Sequence, residues 1–446
     1  MHRALHHTRL TSSLLLIVLW LSINITPDGT AAQAGTVPAY PLKVSANGHY
    51  LVDQHGQPFF YVADTAWPLF AQLDQAETER YLEDRRQKGF NTIQVSLLPW
   101  SIDWPNRDGQ TPFLNSNLAT PNEAYFQHVD RVIATAAEKG LQLVIGTAWF
   151  GLAGQNHRPY LTRANARTYG RWLGQRYEQF DNLIWFHGGD DVPGDHSDLV
   201  RELAAGIKES DRRHLMTYHG PAGLSSSAWF AADSWLDFNM AQTYYEGAPS
   251  SYQLILADYA RVPAKPTLNA EPNYENLHGT TPYHVRQASY WSVLSGAFGV
   301  AYGADPVWNI GATPDWPSAL DLAGTQQIGY LQQLLSTRNW HRLVPDREHA
   351  VLTEGYGQFG QSDYVTAARA DDGSLILAYL PSSRSVTIDL GKLQGSSVIA
   401  QWFDPADGRY YPAAQASLPN SGTRRFTPPP VNAGGDGDFV LVLEPV

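Results

Sequence analysis

The sequence contains no cysteine. That excludes disulfides, thiolate nucleophiles, iron–sulfur clusters and cysteine-ligated zinc. It also excludes a lipid anchor, which needs a cysteine at the mature N-terminus. There is no Gly-x-Ser-x-Gly elbow, so serine hydrolysis has no more support than cysteine hydrolysis. Neither His-Glu-x-x-His nor a comparable spacing points to a metal. Internal repeats and long low-complexity linkers are missing. The one apolar run of note, residues 14–23, is too short to span a bilayer comfortably. Positive charge is scarce: 31 Lys and Arg stand against 43 Asp and Glu, a formal net charge of −12. An acidic surface repels phosphate backbones and works against binding to an anionic membrane, so nucleic acid is not an expected partner.

What is present is a chain of 446 residues, 43% hydrophobic, enough for a large core and long enough for two domains. Aromatic residues reach 12%, with 14 Trp and 23 Tyr. Such richness suits stacking on the apolar faces of sugar rings, and equally a large packed core. Residues 1–34 have the order of a secretory signal. Arg3 and Arg9 supply positive charge, the short apolar run follows, and Ala32-Gln33-Ala34 gives a small-x-small cleavage site before Gly35. An uncleaved N-terminal anchor is the alternative. The expected location is therefore secreted or periplasmic, with no membrane contact after cleavage.

Residues 35–344 alternate β-like and helix-like segments. The β-like runs are residues 59–63, 92–98, 141–145, 183–186, 215–218, 236–241, 266–270 and 299–302. Helical patterns cover residues 74–88, 123–139, 164–180, 198–209, 251–260, 285–298 and 326–336, the first two stopped by Gly89 and Gly140. The fifth β-like run has a weak helix at best. Eight strand–helix units predict a parallel (β/α)8 barrel. A doubly wound open sheet is the competing fold, but it should carry a phosphate-binding glycine turn after its first strand, where none stands. The Gly-x-Gly-x-x-Gly match at Gly355, Gly357 and Gly360 lies outside any strand–helix unit and reads as a turn. Residues 345–446 change character. Short β-like runs at 364–369, 375–380, 386–390, 398–403 and 439–443, separated by Asp-, Gly- and Pro-rich turns, predict a small antiparallel β-sandwich packed closely on the barrel.

In such a barrel, polar residues at the C-terminal ends of the strands line the active site. Here they are Asp64 and Trp67, Trp149, His187 and Asp190, His219, Gln242 and Tyr244, Glu271, and Asp305 with Trp308. Cleaving a glycosidic bond needs two carboxyl groups. Asp190 and Glu271 are the best pair. Asp190 follows two glycines that let the backbone bend, and Glu271 ends a strand that Pro272 stops. They terminate the fourth and seventh strands, on opposite sides of one barrel. Asp191 is a rival to Asp190. Asp64 with Trp67 reads as a sugar-binding pair or as a buried structural Asp, and Tyr244 as orienting Glu271 or as packing. His187 and His219 read as hydrogen-bonding pocket histidines rather than metal ligands. No cofactor and no metal are expected.

Several segments together resemble the apiosidase-like glycoside hydrolases, glycoside hydrolase family 140 and its relatives. They are Ala63-Asp64-Thr65-Ala66-Trp67, Lys88-Gly89-Phe90-Asn91, Pro121-Asn122-Glu123-Ala124-Tyr125-Phe126, Gly188-Gly189-Asp190, Leu236-Asp237-Phe238-Asn239-Met240 and Glu271-Pro272-Asn273-Tyr274-Glu275. The likeness covers roughly residues 40–340, and the C-terminal part resembles the collagen-binding-type β-domain that often follows. The resemblance implies an Asp after the fourth strand and a Glu after the seventh as the catalytic pair, Asp190 as acid/base and Glu271 as nucleophile; Asp64, Trp67, Trp149, His187, His219, Gln242, Tyr244 and Trp308 are expected from their strand-end positions to contact substrate, an oligo- or polysaccharide such as a plant-type or other complex glycan. The wider clan usually has Asn-Glu at the fourth strand. The shorter Asp190 therefore leaves inversion open beside retention. A non-catalytic carbohydrate- or matrix-binding protein, and a metal-dependent hydrolase, are the alternative functions.

Overall fold

The computed structural model describes residues 37–151, 157–244 and 250–446. The signal-like segment 1–34 lies outside the described residues. Eight parallel strands form the centre: β1 (Tyr61–Thr65), β2 (Thr92–Ser96), β3 (Gln142–Gly146), β4 (Leu183–Gly188), β5 (Met216–His219), β6 (Asn239–Gln242), β7 (Thr267–Glu271) and β8 (Gly299–Tyr302). Every residue in them is buried, as expected of strands covered on both faces.

The ladder runs in two pieces. One sheet has the order β8-β1-β2-β3-β4-β5, and a second holds β6 and β7 with the short antiparallel strand Leu224–Ser225. The result is a parallel curled sheet. At the two seams side chains and single backbone bonds replace the ladder. Between β5 and β6, Asp237 N donates to Met216 O at 2.9 Å, Met216 N donates to the Asp237 carboxylate at 2.8 Å and the Thr217 hydroxyl donates to Phe238 O at 2.8 Å. Between β7 and β8, Phe298 N donates to Thr267 O at 3.1 Å.

Helix α1 (Gln75–Gln87) starts with Asp74 and Glu77 in a reciprocal capping box, and α2 (Glu123–Glu138) is capped by Asn122. Both stop at a glycine in the left-handed region, Gly89 at φ 88° and Gly140 at φ 72°. α3 (Arg163–Tyr177), α4 (Ser197–Lys208), α5 (Ser250–Tyr259), α6 (Pro282–Leu294) and α7 (Ala323–Ser336) complete the cover. After β5 only the single turn Ser227–Phe230 forms, in keeping with the weak helical pattern there. Among the described residues no helix is long and apolar enough to cross a membrane.

The C-terminal region is β-rich. One antiparallel sheet joins Leu343–Pro345, Thr366–Ala370, Ile376–Leu380, Phe439–Pro445, Ser397–Phe403 and Tyr410–Pro412, with Leu418–Pro419 beside Ser397–Phe403. A second joins Leu352–Glu354, Val386–Asp389 and Thr423–Phe426. Leu352, Ile388 and Phe426 of the smaller sheet and Ile376, Val398 and Leu441 of the larger one share a core. The strands 410–412, 418–419 and 423–426 went unpredicted because most of their residues are exposed and carry no alternation. The Gly355–Gly360 stretch is a turn with no helix after it.

The two regions share a core. Tyr290 of α6 stacks on Tyr379 at 5.1 Å, and the Trp291 indole donates to Tyr364 O at 2.8 Å. Between them sits Arg286, 1% exposed, which donates to both Asp438 oxygens at 2.9 and 2.8 Å, to Asp436 at 2.7 Å and to Gln327 at 2.8 Å. Asp438 is fully buried, so removing the guanidinium strands a charge away from water. Arg286→Ala should cost about 3–5 kcal/mol by urea denaturation. A loss below about 1 kcal/mol would show that the cross-region contact is dispensable.

Candidate active site

The tip of β4 is where the chain departs most from ordinary backbone. Gly188, Gly189 and Asp190 have φ of 91°, 109° and 50°, three successive left-handed residues. A Cβ on Gly188 would stand 2.5 Å from His219 O, and one on Gly189 would stand 2.4 Å from the Trp149 ring. The two glycines thus permit both the turn and the close packing beneath it. Their effect is to swing Asp190 back over the strand ends. There its Oδ1 accepts from Gln242 Nε2 at 2.9 Å.

Glu271 ends β7 across the site, 6% exposed, with Oε2 2.7 Å from His219 Nε2 at the end of β5. The Tyr274 hydroxyl accepts from Trp67 Nε1 at 3.0 Å and donates to Glu271. His219 is boxed by Trp67, Trp149 and Phe186, with ring centroids 5.5–5.7 Å away.

These neighbours set the charges. Burial, and then the negative charge of Glu271, push the Asp190 carboxyl up to about 6, against weaker opposing effects from His219 and Gln242. Burial works against a charged His219, but contact with Glu271 and its charge outweigh that and raise the imidazole above its ordinary value. Burial and the charge of Glu271 hold Tyr274 well above the usual phenol range, so it keeps its proton and stays a donor.

A cavity of about 390 Å³ opens above this group, the size of a small-ligand site. Trp67, Trp100, Trp149, Tyr244, Tyr274 and Trp308 form aromatic walls around Asp190, Gln242 and Glu271. Tyr244 lies with its ring 5.1 Å from Tyr274, and the Trp308 indole is fixed by Asp305 at 2.9 Å. Of the residues the sequence singled out, Asp190, Glu271, Trp67, Trp149, Gln242, Tyr244 and Trp308 line the cavity, and His219 supports its floor.

Two expected substrate residues are corrected. Asp64 is fully buried on the helix side of β1, accepting from Tyr81 at 2.7 Å and Arg85 at 3.2 Å, both on α1. It anchors the helix and does not reach the cavity. His187 also faces outward. Its Nδ1 lies 2.9 Å from the Thr147 hydroxyl and its ring packs on Trp235, while burial and the charge of Lys208 push it down to about 3. Strand alternation explains this: His187 precedes the glycine turn and points opposite to the pocket. The rival Asp191 is taken by an ion pair with Arg158. The sequence reading passed over Trp100, Tyr274, Leu277 and His278 in the lining. Trp100 follows β2 in an apolar run, and Tyr274 sits three residues after Glu271, so position after a strand end was the available signal.

Asp190, His219 and Glu271 offer ligand atoms within 4.8 Å of one another, which raises the question of a metal. Two ligands on one tetrahedral zinc, each about 2.0–2.1 Å from it, must stay about 3.3 Å apart. His219 and Glu271 approach to 2.7 Å, a hydrogen-bonding distance.

Carboxylates facing one another in an aromatic cavity at the ends of parallel strands define a glycoside hydrolase, and solved structures agree. A glycoside hydrolase family 5 protein from Bacteroides vulgatus superposes with a TM-score of 0.82 at 28% identity, covering 91% of this chain and 92% of its own. A second structure, named glycoside hydrolase, gives 0.82 at 29% identity, with 91% and 97% covered. A family 5 mannosidase from Rhizomucor miehei, 13% identical with a TM-score of 0.50 over 68% of this chain and 99% of its own, shares the fold alone. The family model "Apiosidase-like, catalytic domain" matches residues 45–342, and the chain belongs to that family. The model "Putative collagen-binding domain of a collagenase" matches residues 344–444. No curated protein matches the chain.

Asp190 should titrate with a midpoint near 6, read by carboxyl carbon NMR. Because its folded value exceeds that of an unfolded Asp, this group weakens the fold as pH rises from about 4 to about 6 and has no further effect above. Glu271→Gln should lower the midpoint only partway, since burial is the larger cause. A midpoint near 4 in the unaltered protein would contradict the burial and charge assigned to it.

Proposed function

We propose that the protein is an exported retaining glycosidase that releases a small neutral sugar from a plant-type or other complex glycan. The observation that carries this is the Asp190–Glu271 pair, which brings one oxygen of each carboxylate within 4.8 Å across one aromatic cavity. Retaining enzymes hold their carboxyls about 5–5.5 Å apart, whereas inversion needs roughly 6.5–9.5 Å to admit a water. The eight parallel strands are read as one (β/α)8 barrel, supported by their sequential order and by the bonds across both seams.

The roles follow from the environments. Asp190, raised to about 6, is protonated at mildly acidic pH and gives that proton to the glycosidic oxygen as the bond to the sugar breaks. Gln242 holds Oδ1, which leaves Oδ2 for the proton. Glu271, held by His219 and Tyr274, attacks the anomeric carbon and forms a glycosyl ester. Asp190, now ionised, takes a proton from water, which displaces Glu271 and restores both groups. Among the described residues no Lys or Arg lines the cavity, and residues 152–156 and 245–249 contain neither. Two carboxylates with no Lys or Arg beside them disfavour an acidic sugar at the scissile position, and the aromatic walls suit the apolar face of a small ring.

On aryl glycosides, Glu271→Gln should abolish turnover. Asp190→Asn should slow substrates with poor leaving groups by about 10²–10⁴-fold and spare those with good ones. An equal loss for both leaving groups would remove Asp190 from the acid role, and a fully active Glu271→Gln would remove the nucleophile. Export rests on residues 1–34. N-terminal sequencing of protein from the extracellular or periplasmic fraction should begin at Gly35, and cytoplasmic protein beginning at Met1 would contradict it.

A further inference from the structure

A second cavity, of about 370 Å³, lies in the C-terminal region and shares no residue with the catalytic one. Its walls come from the strand Leu343–Pro345 and the turn after it, from the neighbouring strand Thr366–Ala370, and from Lys392. In place of aromatic rings it presents Arg347, Arg369 and Lys392.

The charges in it are unusually open for this protein. The net charge is −12, and nearby arginines are engaged: Arg338 with Glu444, Arg342 with Asp371 and Asp372. Arg347 and Arg369 carry no ion pair among the described residues. Arg369 donates to Lys392 O at 3.3 Å, a contact that aims the guanidinium and leaves its charge uncompensated. The Lys392 ammonium stands 3.8 Å from Asp389, a loose pair. Two carboxylates also line the space. Asp346 is occupied by three backbone N–H groups, those of Ala350, Val351 and Leu352, at 2.7–3.0 Å. Glu348 is exposed. Three cations therefore face Glu348 and an Asp346 already satisfied by its own loop.

We propose that this cavity binds an acidic glycan, with Arg347 and Arg369 taking its carboxylate or sulfate groups and Lys392 adding a third positive charge. Guanidinium forks match planar carboxylates with two parallel hydrogen bonds, and sulfate offers similar oxygens. The choice of a glycan rests on the glycosidase reading, because the cavity belongs to the β-rich region that shares a core with the catalytic one. Together the two cavities divide the work. The one without Lys or Arg takes the sugar to be released, and the cationic one holds the acidic chain.

The test is calorimetric titration of the full chain with oligogalacturonate, with chondroitin sulfate and with a neutral galactan, at low and high salt. The acidic glycans should bind, the galactan should not, and binding should weaken as salt rises. A preference for one acidic glycan tells carboxylate from sulfate. Arg347→Ala/Arg369→Ala should weaken binding about tenfold or more. Arg347→Glu, at an exposed position, should do the same without disturbing the fold. All variants should hydrolyse a small neutral aryl glycoside as the parent does, so loss of binding is distinguishable from failure of the catalytic assignment. Equal binding of the galactan, binding unaffected by Arg347→Glu, tighter binding to polyphosphate, or binding to collagen alone would each overturn the proposal.

Discussion

Everything in the catalytic region depends on keeping two carboxyl groups together where water cannot screen them. Two carboxylates within a few ångströms repel, and burial makes each charge costlier still. The structure resolves the conflict by unequal treatment. Glu271 contacts His219 and the Tyr274 hydroxyl. Asp190 receives one amide from Gln242, so burial and the neighbouring charge drive it toward the protonated form. In the proposed mechanism one group attacks while the other donates a proton.

That asymmetry has a backbone cause. A strand ending normally at residue 188 would send the next side chain up and away. Three left-handed residues fold the chain back, and only glycine fits at Gly188 and Gly189 against His219 and Trp149. The turn makes up for the shortness of the aspartate side chain, bringing one of its oxygens within 4.8 Å of a Glu271 oxygen. The same compression sets Trp149 in the wall, so the acid and the sugar platform are positioned by one packing event.

Much of this was legible in the sequence because strands covered on both faces leave long apolar runs, and because Asp74, Gly89, Asn122 and Gly140 mark helix ends chemically. The carboxylate pair was legible for a related reason: a charge at the end of an apolar run has little reason to be there unless it works. What sequence could not supply was direction. Asp64 and His187 end apolar runs just as Asp190 does, yet Asp64 turns to helix α1 and His187 to Thr147 and Trp235, and only those partners, distant in sequence, reveal it. Nor could it supply the third dimension of the cavity. Trp100 and Tyr274 reach the site through loops whose course local pattern does not fix, and the cationic cavity is assembled from a turn, a strand and a lysine that no sequence motif connects.

The account stands or falls on whether Glu271 bonds to the sugar. Under the proposed mechanism the reaction passes through a glycosyl ester and two inversions. Proton NMR of the first sugar released, recorded before mutarotation, reads this directly. The account predicts the same anomeric configuration as the substrate. An inverted sugar would contradict it and make Glu271 a base acting through water.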